Sequence, residues 1–413
     1  MKYLITTFGC QANAADSEKT AEIMEKTGYV RANNMKDLIS AKNSVLIFNT
    51  CSVRQKAEDR VFGLNRKLEE LKNKNLKLKI ILTGCMTHYG EKELKKRLPF
   101  FDHFIDIKNI KTLEKILPKI KISKNKNLLA EKVSSEISAL IPVSHGCDNF
   151  CTYCIVPLAR GREISRGVLD IISDVKKAVD NGMKEIWLLG QTVNSYKNND
   201  VQFHNLLRLV NDIPGDFWIR FTSPHPKDFS EELIKAMAEC EKFAHYINLP
   251  VQSGNNAILK KMGRPYTVGH YKKLVQKIRK AMPDIAISTD IIVGFPGETR
   301  KQFEDTKKLF EEIKFDMAFI SEYSPRPKTI AAKMFKDDVP HKEKERRKNE
   351  LNEILKKTAL ENNQKLVGKI VRVLNGRTEG NKPIEIDDKY KKDEFVKIKI
   401  TKSNIWSLKG KLL

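Results

Sequence analysis

Three cysteines in the middle of the chain have a spacing that suits an iron–sulfur cluster. Cys147, Cys151 and Cys154 form the pattern C-x3-C-x2-C in a loop that directly follows a predicted strand. Three local thiolates hold a 4Fe-4S cluster with one iron free of protein ligands, and that open iron can coordinate a substrate or cofactor. A structural zinc site completed by His145 is the alternative, although a closed zinc site usually draws on two pairs of ligands.

Three further cysteines lie far apart in the N-terminal third, yet each follows a predicted strand. Cys10, Cys51 and Cys85 come just after the ends of short apolar runs. The carboxyl ends of parallel strands share one edge of a sheet, where ligands bind, so these thiols can converge on a second cluster. Three buried free cysteines that act as small hydrophobic groups are the alternative. The seventh cysteine, Cys240, lies apart from the others in the sequence and is assigned no chemistry.

The elements that must position these cysteines follow from hydrophobic periodicity. In the first third, short apolar runs alternate with amphipathic helices, which is typical of a parallel sheet covered on both faces. The predicted strands are Lys2–Phe8, Ser44–Asn49 and Leu78–Thr83, and the predicted helices are Ala14–Thr27, Arg54–Leu71 and Gly90–Leu98. The stretch Lys121–Lys132, rich in lysine and asparagine, is a predicted linker.

Six strand and helix units follow the linker and predict a partial (β/α)6 barrel. Their strands are Leu140–Ser144, Glu185–Gly190, Phe217–Thr222, Tyr246–Val251, Ala286–Val293 and Met317–Tyr323. A charged helix from about His341 to Lys365 comes next, and Val367–Leu374 opens a short tail with the strand pattern of a small β module. We therefore expect an α/β protein with an N-terminal α/β domain (1–120), the barrel (133–335), a connecting basic helix (336–364) and the tail (365–413).

The balance of charges points to a polyanionic partner. Lysine and arginine number 76 against 52 acidic residues in a chain of 413, which gives a formal net charge of +24. This balance favours nucleic acid over an acidic metabolite. With 40% hydrophobic residues, the composition excludes disorder throughout. The short apolar start and the lack of a long apolar window predict a cytoplasmic protein with no membrane span, and cysteines at motif spacing suit that reducing compartment.

The cysteine motif and its surroundings resemble a known family. The motif, with Tyr153 inside it, is similar to the cluster motif of radical S-adenosylmethionine enzymes. The N-terminal segments Thr7–Gln11, Asn49–Arg54 and Gly84–Met86 narrow the resemblance to the methylthiotransferases within that group. The tail from Lys365 resembles the TRAM module, a small RNA-binding β-barrel, in a shortened form.

This resemblance implies two 4Fe-4S clusters and S-adenosylmethionine as cofactors. S-Adenosylmethionine would bind the open iron of the cluster on Cys147, Cys151 and Cys154, where an electron cleaves it to a 5′-deoxyadenosyl radical. The cluster on the other three cysteines would carry the sulfur of the methylthio group, which is inserted at C2 of N6-isopentenyladenosine at position 37 of tRNA, near the anticodon. The implied contacts to S-adenosylmethionine, in loops after the barrel strands, are Tyr153, Gly190, Gln191, Ser223, Gln252, Val293, Gly294 and Gly297.

Basic residues in three regions are candidates for contacts to the phosphates of tRNA. They lie close to the cysteine motif, on the charged helix and in the tail, and they are Arg160, Arg162, Arg166, Lys342, Lys344, Arg346, Arg347, Lys348 and Arg372. On the charged helix, Glu343 and Glu345 alternate with the cations, so a solvated helix face is an equally good interpretation. The resemblance further implies an electron donor such as flavodoxin or ferredoxin, and we expect a monomer.

Two other functions remain open on the sequence. The same chemistry could act on threonylcarbamoyl-adenosine in tRNA or on an aspartate of a ribosomal protein. The segments Phe8–Gln11 and Ser52–Asp59 are similar to the isopentenyladenosine branch and favour that substrate. From a different class, the chain could be a non-catalytic RNA-binding protein that is stabilised by zinc or iron.

Overall fold

The structure is a computed structural model that describes residues 1–41, 43–53, 55–118 and 137–413. The predicted linker Lys121–Lys132 lies outside these residues. Contacts divide the chain into two units. The first contains the N-terminal region together with His145–Asp148 and Ile155–Glu163. The second contains Asn149–Cys154, Ile164–Leu413 and the strand that precedes the cysteine motif.

The first unit is built on a parallel sheet of five strands in the order β2-β1-β3-β4-β5. The strands are β1 (Lys2–Thr7), β2 (Val30–Arg31), β3 (Ser44–Thr50), β4 (Lys79–Gly84) and β5 (His103–Ile105). The helices are α1 (Gln11–Lys26), α2 (Met35–Ile39), α3 (Gln55–Phe62), α4 (Asn65–Lys74), α5 (Glu91–Arg97), α6 (Leu113–Ile116) and α7 (Val156–Arg160). Two 3-10 turns cover Cys85–Tyr89 and Ile107–Thr112.

The central strand β3 explains why this sheet is covered on both faces. All seven of its residues are buried. Successive side chains of a strand point to opposite faces, and here Leu46 and Phe48 join one apolar cluster while Val45 and Ile47 join another. A strand that is apolar on both faces requires helices on both sides of the sheet. The predicted parallel α/β fold is therefore confirmed.

The second unit contains the predicted partial barrel. Strands β6, β9 and β12 pair in parallel, as do β13, β14 and β15, and a parallel bridge between Ile219 and Phe243 joins the two sets. The strands of this part are β6 (Ser138–Pro142), β7 (Ser144–His145), β8 (Ile164–Ser165), β9 (Glu185–Leu189), β10 (Lys197–Asn198), β11 (Val201–Gln202), β12 (Trp218–Phe221), β13 (Tyr246–Asn248), β14 (Ala286–Val293) and β15 (Met317–Glu322).

Helices cover the outside of these strands. They are α8 (Val168–Asp180), α9 (Phe203–Asn211), α10 (Glu231–Glu239), α11 (Asn256–Lys261), α12 (Val268–Ala281), α13 (Arg300–Ile313), α14 (Ile330–Met334) and α15 (His341–Gln364), with 3-10 turns at Val193–Ser195 and Pro226–Asp228. One continuous apolar cluster joins the strands to all of these helices except α14, and it includes Leu351 and Leu355 of α15. Within the described ranges, no helix is long and apolar enough to cross a membrane.

The tail forms a five-stranded sheet in the order β17-β16-β19-β20-β18. Its strands are β16 (Ile370–Leu374), β17 (Arg377–Thr378), β18 (Ile384–Ile386), β19 (Val396–Ser403) and β20 (Leu408–Leu412). Asn375 and Gly376 connect β16 to β17 with positive φ angles of 48° and 68°. This pair suits the tight turn that the right-handed twist of a hairpin favours.

The tail packs against the amino ends of the barrel strands. Arg220 of β12 is fully buried, and its guanidinium donates to the Glu185 carboxylate at 2.6 Å and to the carbonyl of Glu379 at 2.8 Å. The rings of Trp218 and Phe395 meet edge to face at 4.9 Å. Glu185 and Trp218 are the first residues of their strands, so the tail lies at the opposite end of the barrel from the loops that carry the predicted site.

The structure differs from the sequence prediction mainly in short elements. The predicted helix Arg54–Leu71 is two helices, α3 and α4, separated at Gly63 and Leu64. Glycine is a weak helix former, and its amide here closes the end of α3 by donating to Asp59 O at 2.9 Å. Strands β2 and β5 and helix α2 were not predicted, because two to five residues are too few to show a period.

Candidate active site

The three N-terminal cysteines lie at the carboxyl edge of the five-stranded sheet. Cys10 follows β1, Cys51 follows β3 and Cys85 follows β4. Thr50 pairs with Gly84 in the parallel register, so the cysteines that come next on these two neighbouring strands leave the sheet side by side. Cys51 and Cys85 are buried and Cys10 is exposed. Strand register therefore places Cys51 beside Cys85, and the convergence of all three thiols stays a prediction.

Two glycines allow neighbouring segments of the chain to approach each other closely at this edge of the sheet. Gly84 has a φ of 89°, and a Cβ there would lie 2.6 Å from the Thr50 amide nitrogen and would collide with the Asn49 side chain. A Cβ on Gly9 would overlap the Asn13 side chain. Only glycine can occupy either position without displacing the segments that carry the cysteines.

A pair of buried asparagines ties the start of α1 to the end of β3. Asn13 donates through Nδ2 to Asn49 Oδ1 at 2.9 Å and to Thr50 O at 3.1 Å. Asn49 donates in return through its own Nδ2 to Asn13 O at 2.7 Å. Since Asn13 lies three residues after Cys10 and Thr50 directly precedes Cys51, these bonds fix the spacing of two of the three cysteines.

Arg160 lies beside these cysteines and not on the surface. Its side chain is 4% exposed and donates through Nη2 to the Asp16 carboxylate at 2.6 Å. Burial raises the pKa of the Cys85 thiol, and the charge and hydrogen bond of Arg160 oppose that rise. A guanidinium held in this way does not reach a phosphate group. The structure therefore argues against the predicted contact of Arg160 with tRNA.

The backbone around Cys147, the first cysteine of the central motif, is tightly packed. The Cys147 amide donates to Gly161 O at 3.1 Å. Gly146, which precedes it, has a φ of 77°, and a Cβ there would collide with the Arg162 carbonyl. The close approach of Gly146 to the segment after the motif fixes the direction in which Cys147 leaves its strand.

The other two motif cysteines are held by backbone contacts to α11 and the turn after it. Thr152 donates its amide to Met262 O at 2.9 Å and its hydroxyl to Lys261 O at 2.8 Å. A Cβ on Gly263 would lie 2.8 Å from Phe150 O. The buried side chain of Arg264 donates to Cys151 Sγ at 3.5 Å, which places a fixed positive charge beside a predicted cluster ligand.

Tyr153, the predicted aromatic contact to S-adenosylmethionine, packs against an apolar cluster. The cluster includes Met262, Phe295 and Tyr323. Burial raises the pKa of the Tyr153 hydroxyl well above its usual value, and the charge of Arg264 opposes this only in part. Tyr153 therefore stays neutral and half-buried, with its ring beside the turn that follows β14.

Two predicted cofactor contacts have strained backbones. Ser223 and Gln252 follow β12 and β13 with φ angles of 54° and 73°, values that side-chain-bearing residues rarely adopt. Gln252 is also tied to β14, since its amide donates to Asp290 O at 2.9 Å and its carbonyl accepts from Ile292 at 3.1 Å. Backbone strain of this kind concentrates at functional sites. It supports the prediction for these two residues without testing it.

Gly190 and Gln191 follow β9 at the same end of the barrel. A Cβ on Gly190 would lie 2.9 Å from Ser144 Oγ and from Val193 Cα, so the chain passes too closely here for any side chain. Gln191 is half-buried. The loop after β9 therefore has the close packing expected of a cofactor contact, and its role remains a prediction.

Helix α15 braces the turn that contains Gly294 and Gly297 and follows Val293, the last residue of β14. Gly294 donates its amide to the Glu298 carboxylate at 2.6 Å. Arg347 donates to the same carboxylate at 2.7 Å and to Glu298 O at 2.9 Å. Burial raises the pKa of Glu298, while the Gly294 amide and Arg347 oppose that rise. Sequence reasoning missed this role of Arg347.

The basic residues proposed to contact tRNA therefore fall into two groups. Arg347 and Lys344 are 4% exposed, and Lys344 donates to Tyr323 O at 3.0 Å and to Asp337 at 2.6 Å, so neither presents its charge to solvent. Five of the more accessible candidates have an acidic partner: Arg162 with Asp148, Arg166 with Asp174, Arg346 with Glu343 and Glu350, Lys348 with Glu322, and Arg372 with Asp216. Lys342 is exposed.

The donor chemistry fits iron–sulfur clusters. Thiolates are the protein ligands of 4Fe-4S clusters, and register and glycine contacts bring the N-terminal thiols to one edge. Among the described residues, no group of three or more His, Cys, Asp or Glu side chains is spaced to hold a single metal ion. The ligands of a four-iron cluster bind different irons and stand farther apart, so the fit rests on the thiols and the backbone that places them.

Known protein families match the chain in three consecutive parts. The uncharacterized protein family UPF0004 matches residues 2–106, the radical SAM superfamily matches residues 141–310, and the TRAM domain matches residues 360–413. The fold agrees with this. A radical S-adenosylmethionine methyltransferase from Kitasatospora setae, TsrM, solved with cobalamin and a 4Fe-4S cluster, has a TM-score of 0.63 at 14% identity, covering 80% of this chain and 77% of that one. The fold and the cysteine motif define a radical SAM enzyme.

Curated relatives identify the family within that class. A tRNA-2-methylthio-N(6)-dimethylallyladenosine synthase from Clostridium botulinum (strain Hall) is 42% identical over 439 residues, covering 99% of this chain and 96% of the relative. The synthase of Clostridium novyi is 41% identical, covering 100% and 96%, and that of Thermoanaerobacter sp. is 41% identical, covering 100% and 92%. The chain belongs to this family of methylthiotransferases, which uses S-adenosylmethionine and two 4Fe-4S clusters. The predicted resemblance is confirmed.

Replacing Gly84 by alanine should separate the strands that carry Cys51 and Cys85. We expect Gly84→Ala to lower the free energy of unfolding by about 3 kcal/mol, from the strained φ together with the collision with Thr50. Gly90→Ala is the matched control, because Gly90 has a φ of 91° but no atom within 4 Å of the added Cβ. It should cost about 1 kcal/mol. Guanidinium denaturation of the full chain measures both, and equal losses would contradict the close approach.

Removing the guanidinium behind the turn after β14 should weaken that turn. Arg347→Met leaves the Glu298 carboxylate buried without its cation, and breaking a buried pair in this way costs about 3 kcal/mol. Arg346→Met, next to it, removes a partly exposed guanidinium and should cost about 1 kcal/mol or less. Calorimetric titration should show weaker binding of S-adenosylmethionine to Arg347→Met alone. Equal affinity in the two variants would rule out the bracing role.

Proposed function

We propose that this chain inserts a methylthio group at C2 of N6-isopentenyladenosine at position 37 of tRNA. The observation that carries the proposal is the similarity to the synthases, which extends over nearly the whole of each chain. The names of these relatives favour the isopentenyl substrate over threonylcarbamoyl-adenosine, a ribosomal-protein aspartate or a non-catalytic role. The TRAM match at residues 360–413 supports a tRNA substrate.

Six cysteines would hold the two clusters. When bound, the cluster on Cys147, Cys151 and Cys154 supplies the electron that cleaves S-adenosylmethionine, and the one on Cys10, Cys51 and Cys85 supplies sulfur. The task of the chain itself is to fix these groups and the target base in one geometry and to keep water away. The backbone contacts of Thr152 serve that task, since they leave the motif loop little freedom.

The loops at the carboxyl ends of the barrel strands would bind S-adenosylmethionine. We assign this role to Tyr153, Gly190, Gln191, Ser223, Gln252, Val293, Gly294 and Gly297. Arg264 supports the assignment, because its buried guanidinium donates to Cys151 Sγ and also to Pro250 O at 3.0 Å, linking the motif loop to the segment before Gln252. A rigid pocket orients a flexible cofactor at lower entropic cost than a mobile one.

Contacts to tRNA would come from exposed cations. Arg162 is the best placed of the predicted residues, since its side chain is 76% exposed and its partner Asp148 is itself accessible. A surface ion pair of this type is weak, so a phosphate can replace the carboxylate at little cost. Arg166, Arg346 and Arg372 are further candidates that must also leave an acidic partner.

We infer that a flavodoxin or ferredoxin donates the electron, that the chain acts as a monomer and that it works in the cytoplasm. The domain boundaries 1–120, 133–335, 336–364 and 365–413 belong to the same proposal. The net charge of +24 supports a nucleic-acid substrate for a protein of this kind.

The reaction can be tested directly on the product. Mass spectrometry of nucleosides from bulk tRNA should show that 2-methylthio-N6-isopentenyladenosine is lost in cells without this protein and restored on complementation. The unmethylthiolated precursor should accumulate by the same amount. If the threonylcarbamoyl nucleoside loses its methylthio group instead, the substrate is wrong; if neither nucleoside changes, the tRNA reaction itself is excluded.

The roles of the two sets of cysteines should be separable by substitution. Cys10→Ala removes a ligand of the proposed sulfur-supplying cluster and should leave reductive cleavage of S-adenosylmethionine within about twofold of the parent, while methylthio insertion into tRNA falls by at least about a hundredfold. Cys240→Ala is the control, since it removes a buried cysteine of the barrel core outside both sets. Simultaneous loss of cleavage and insertion in Cys10→Ala would contradict separate roles.

A further inference from the structure

Arg160 is buried, and its ion-pair partner Asp16 belongs to the same first unit. Arg160 ends α7, which packs against the 3-10 turn that begins at Cys85. Its side chain is 4% exposed, and that of its partner Asp16 is 8% exposed. Asp16 lies on α1, the helix that starts directly after Cys10. One ion pair thus links α1, which directly follows Cys10, to α7, which packs on the turn that begins at Cys85.

The pair is unlike an ordinary surface salt bridge. A guanidinium keeps its charge even when buried, so its burial must be offset by nearby negative charge. Asp16 supplies one carboxylate through a bond of 2.6 Å. Arg160 also interacts electrostatically with the thiol of Cys85, on the turn against which α7 packs, and with that of Cys10, directly before α1. The cation therefore faces two thiols that the proposed cluster would use as thiolates.

We propose that Arg160 is a positioning residue for the cluster on Cys10, Cys51 and Cys85. Its charge compensates the thiolates, and Asp16 fixes its orientation toward them. This inference rests on the proposed function, which assigns a cluster to these three cysteines. It gives Arg160 a role different from the tRNA contact that its place in the sequence predicted.

Opposite charges beside a cluster have opposite effects on its reduction potential. Reduction adds an electron, so loss of a nearby cation makes the cluster harder to reduce and loss of a nearby anion makes it easier. A purely structural ion pair would not give these two signs. Both losses should also loosen the ligand shell, since partners that orient metal ligands typically contribute about tenfold or more to metal affinity.

The test uses the full chain with Cys147, Cys151 and Cys154 replaced by alanine, so that only the N-terminal cysteines can bind a cluster. Four substitutions are compared in this parent after anaerobic reconstitution with iron and sulfide: Arg160→Met, Arg160→Lys, Asp16→Asn and Arg66→Met. Arg66 is the matched control, an ion-paired arginine of the same unit whose side chain is 90% exposed. The measurements are iron and sulfide per chain, the midpoint potential by spectroscopic titration, and the rate of iron loss to a chelator.

We expect Arg160→Met to shift the potential to more negative values and Asp16→Asn to shift it to more positive values. Iron loss should be faster in both by about tenfold. Arg160→Lys keeps the charge and should restore the parent potential, and Arg66→Met should match the parent throughout.

Shifts of the same sign in Arg160→Met and Asp16→Asn, or no shift in either, would overturn the inference. If Arg160→Met does not fold, the signs of Arg160→Lys and Asp16→Asn decide: a parent-like potential in the first and a positive shift in the second support the inference, and any other pair of results rejects it. If the parent itself takes up no cluster, the assignment of the three cysteines has failed, and the inference falls with it.

Discussion

The close approach of neighbouring parallel strands at their carboxyl ends is the constraint on which the first unit depends. No long side chain brings Cys51 and Cys85 together; the register that pairs Thr50 with Gly84 does so. That register holds only because residue 84 has no side chain to occupy the space taken by Thr50 and Asn49. Thiols placed by backbone in this way lose little entropy on binding a cluster, since cysteine has a single side-chain torsion to fix.

Buried arginines are a second feature of the structure, and because of them part of the positive charge of this chain is not at the surface. Arg160, Arg220, Arg264 and Arg347 are each less than 9% exposed, and each donates to a carboxylate, a carbonyl or a thiol. Arginine suits such positions because its fork of donors satisfies several acceptors at once. Arg160, Arg264 and Arg347 stabilise the segments that carry the predicted site, and Arg220 holds the tail to the barrel. The basic residues available to tRNA are therefore fewer than the composition alone indicates.

Much of the architecture was predictable from the sequence, because long elements with strong periods carry their own signal. Strands β3 and β14 and helix α15 lie within one residue of their predicted bounds. The cysteine placements were also predictable, since a residue that follows a strand stays at the end of that strand. The partners of Arg160 and Arg264 were not, because they lie 144 and 113 residues away in the chain, and no local pattern encodes such a contact. Both arginines look in sequence like any solvated cation.

The tail lies at the end of the barrel opposite the predicted site, and this position limits how a bound tRNA can contact both. Arg220 connects the barrel to the tail through the carbonyls of Thr378 and Glu379, and Trp218 packs on Phe395, so the tail is held firmly at the amino ends of the strands. The loops that would bind S-adenosylmethionine lie at the opposite ends. A tRNA that contacts the tail must therefore extend along the barrel to present its target base, which a rigid stem can do and a free nucleoside cannot.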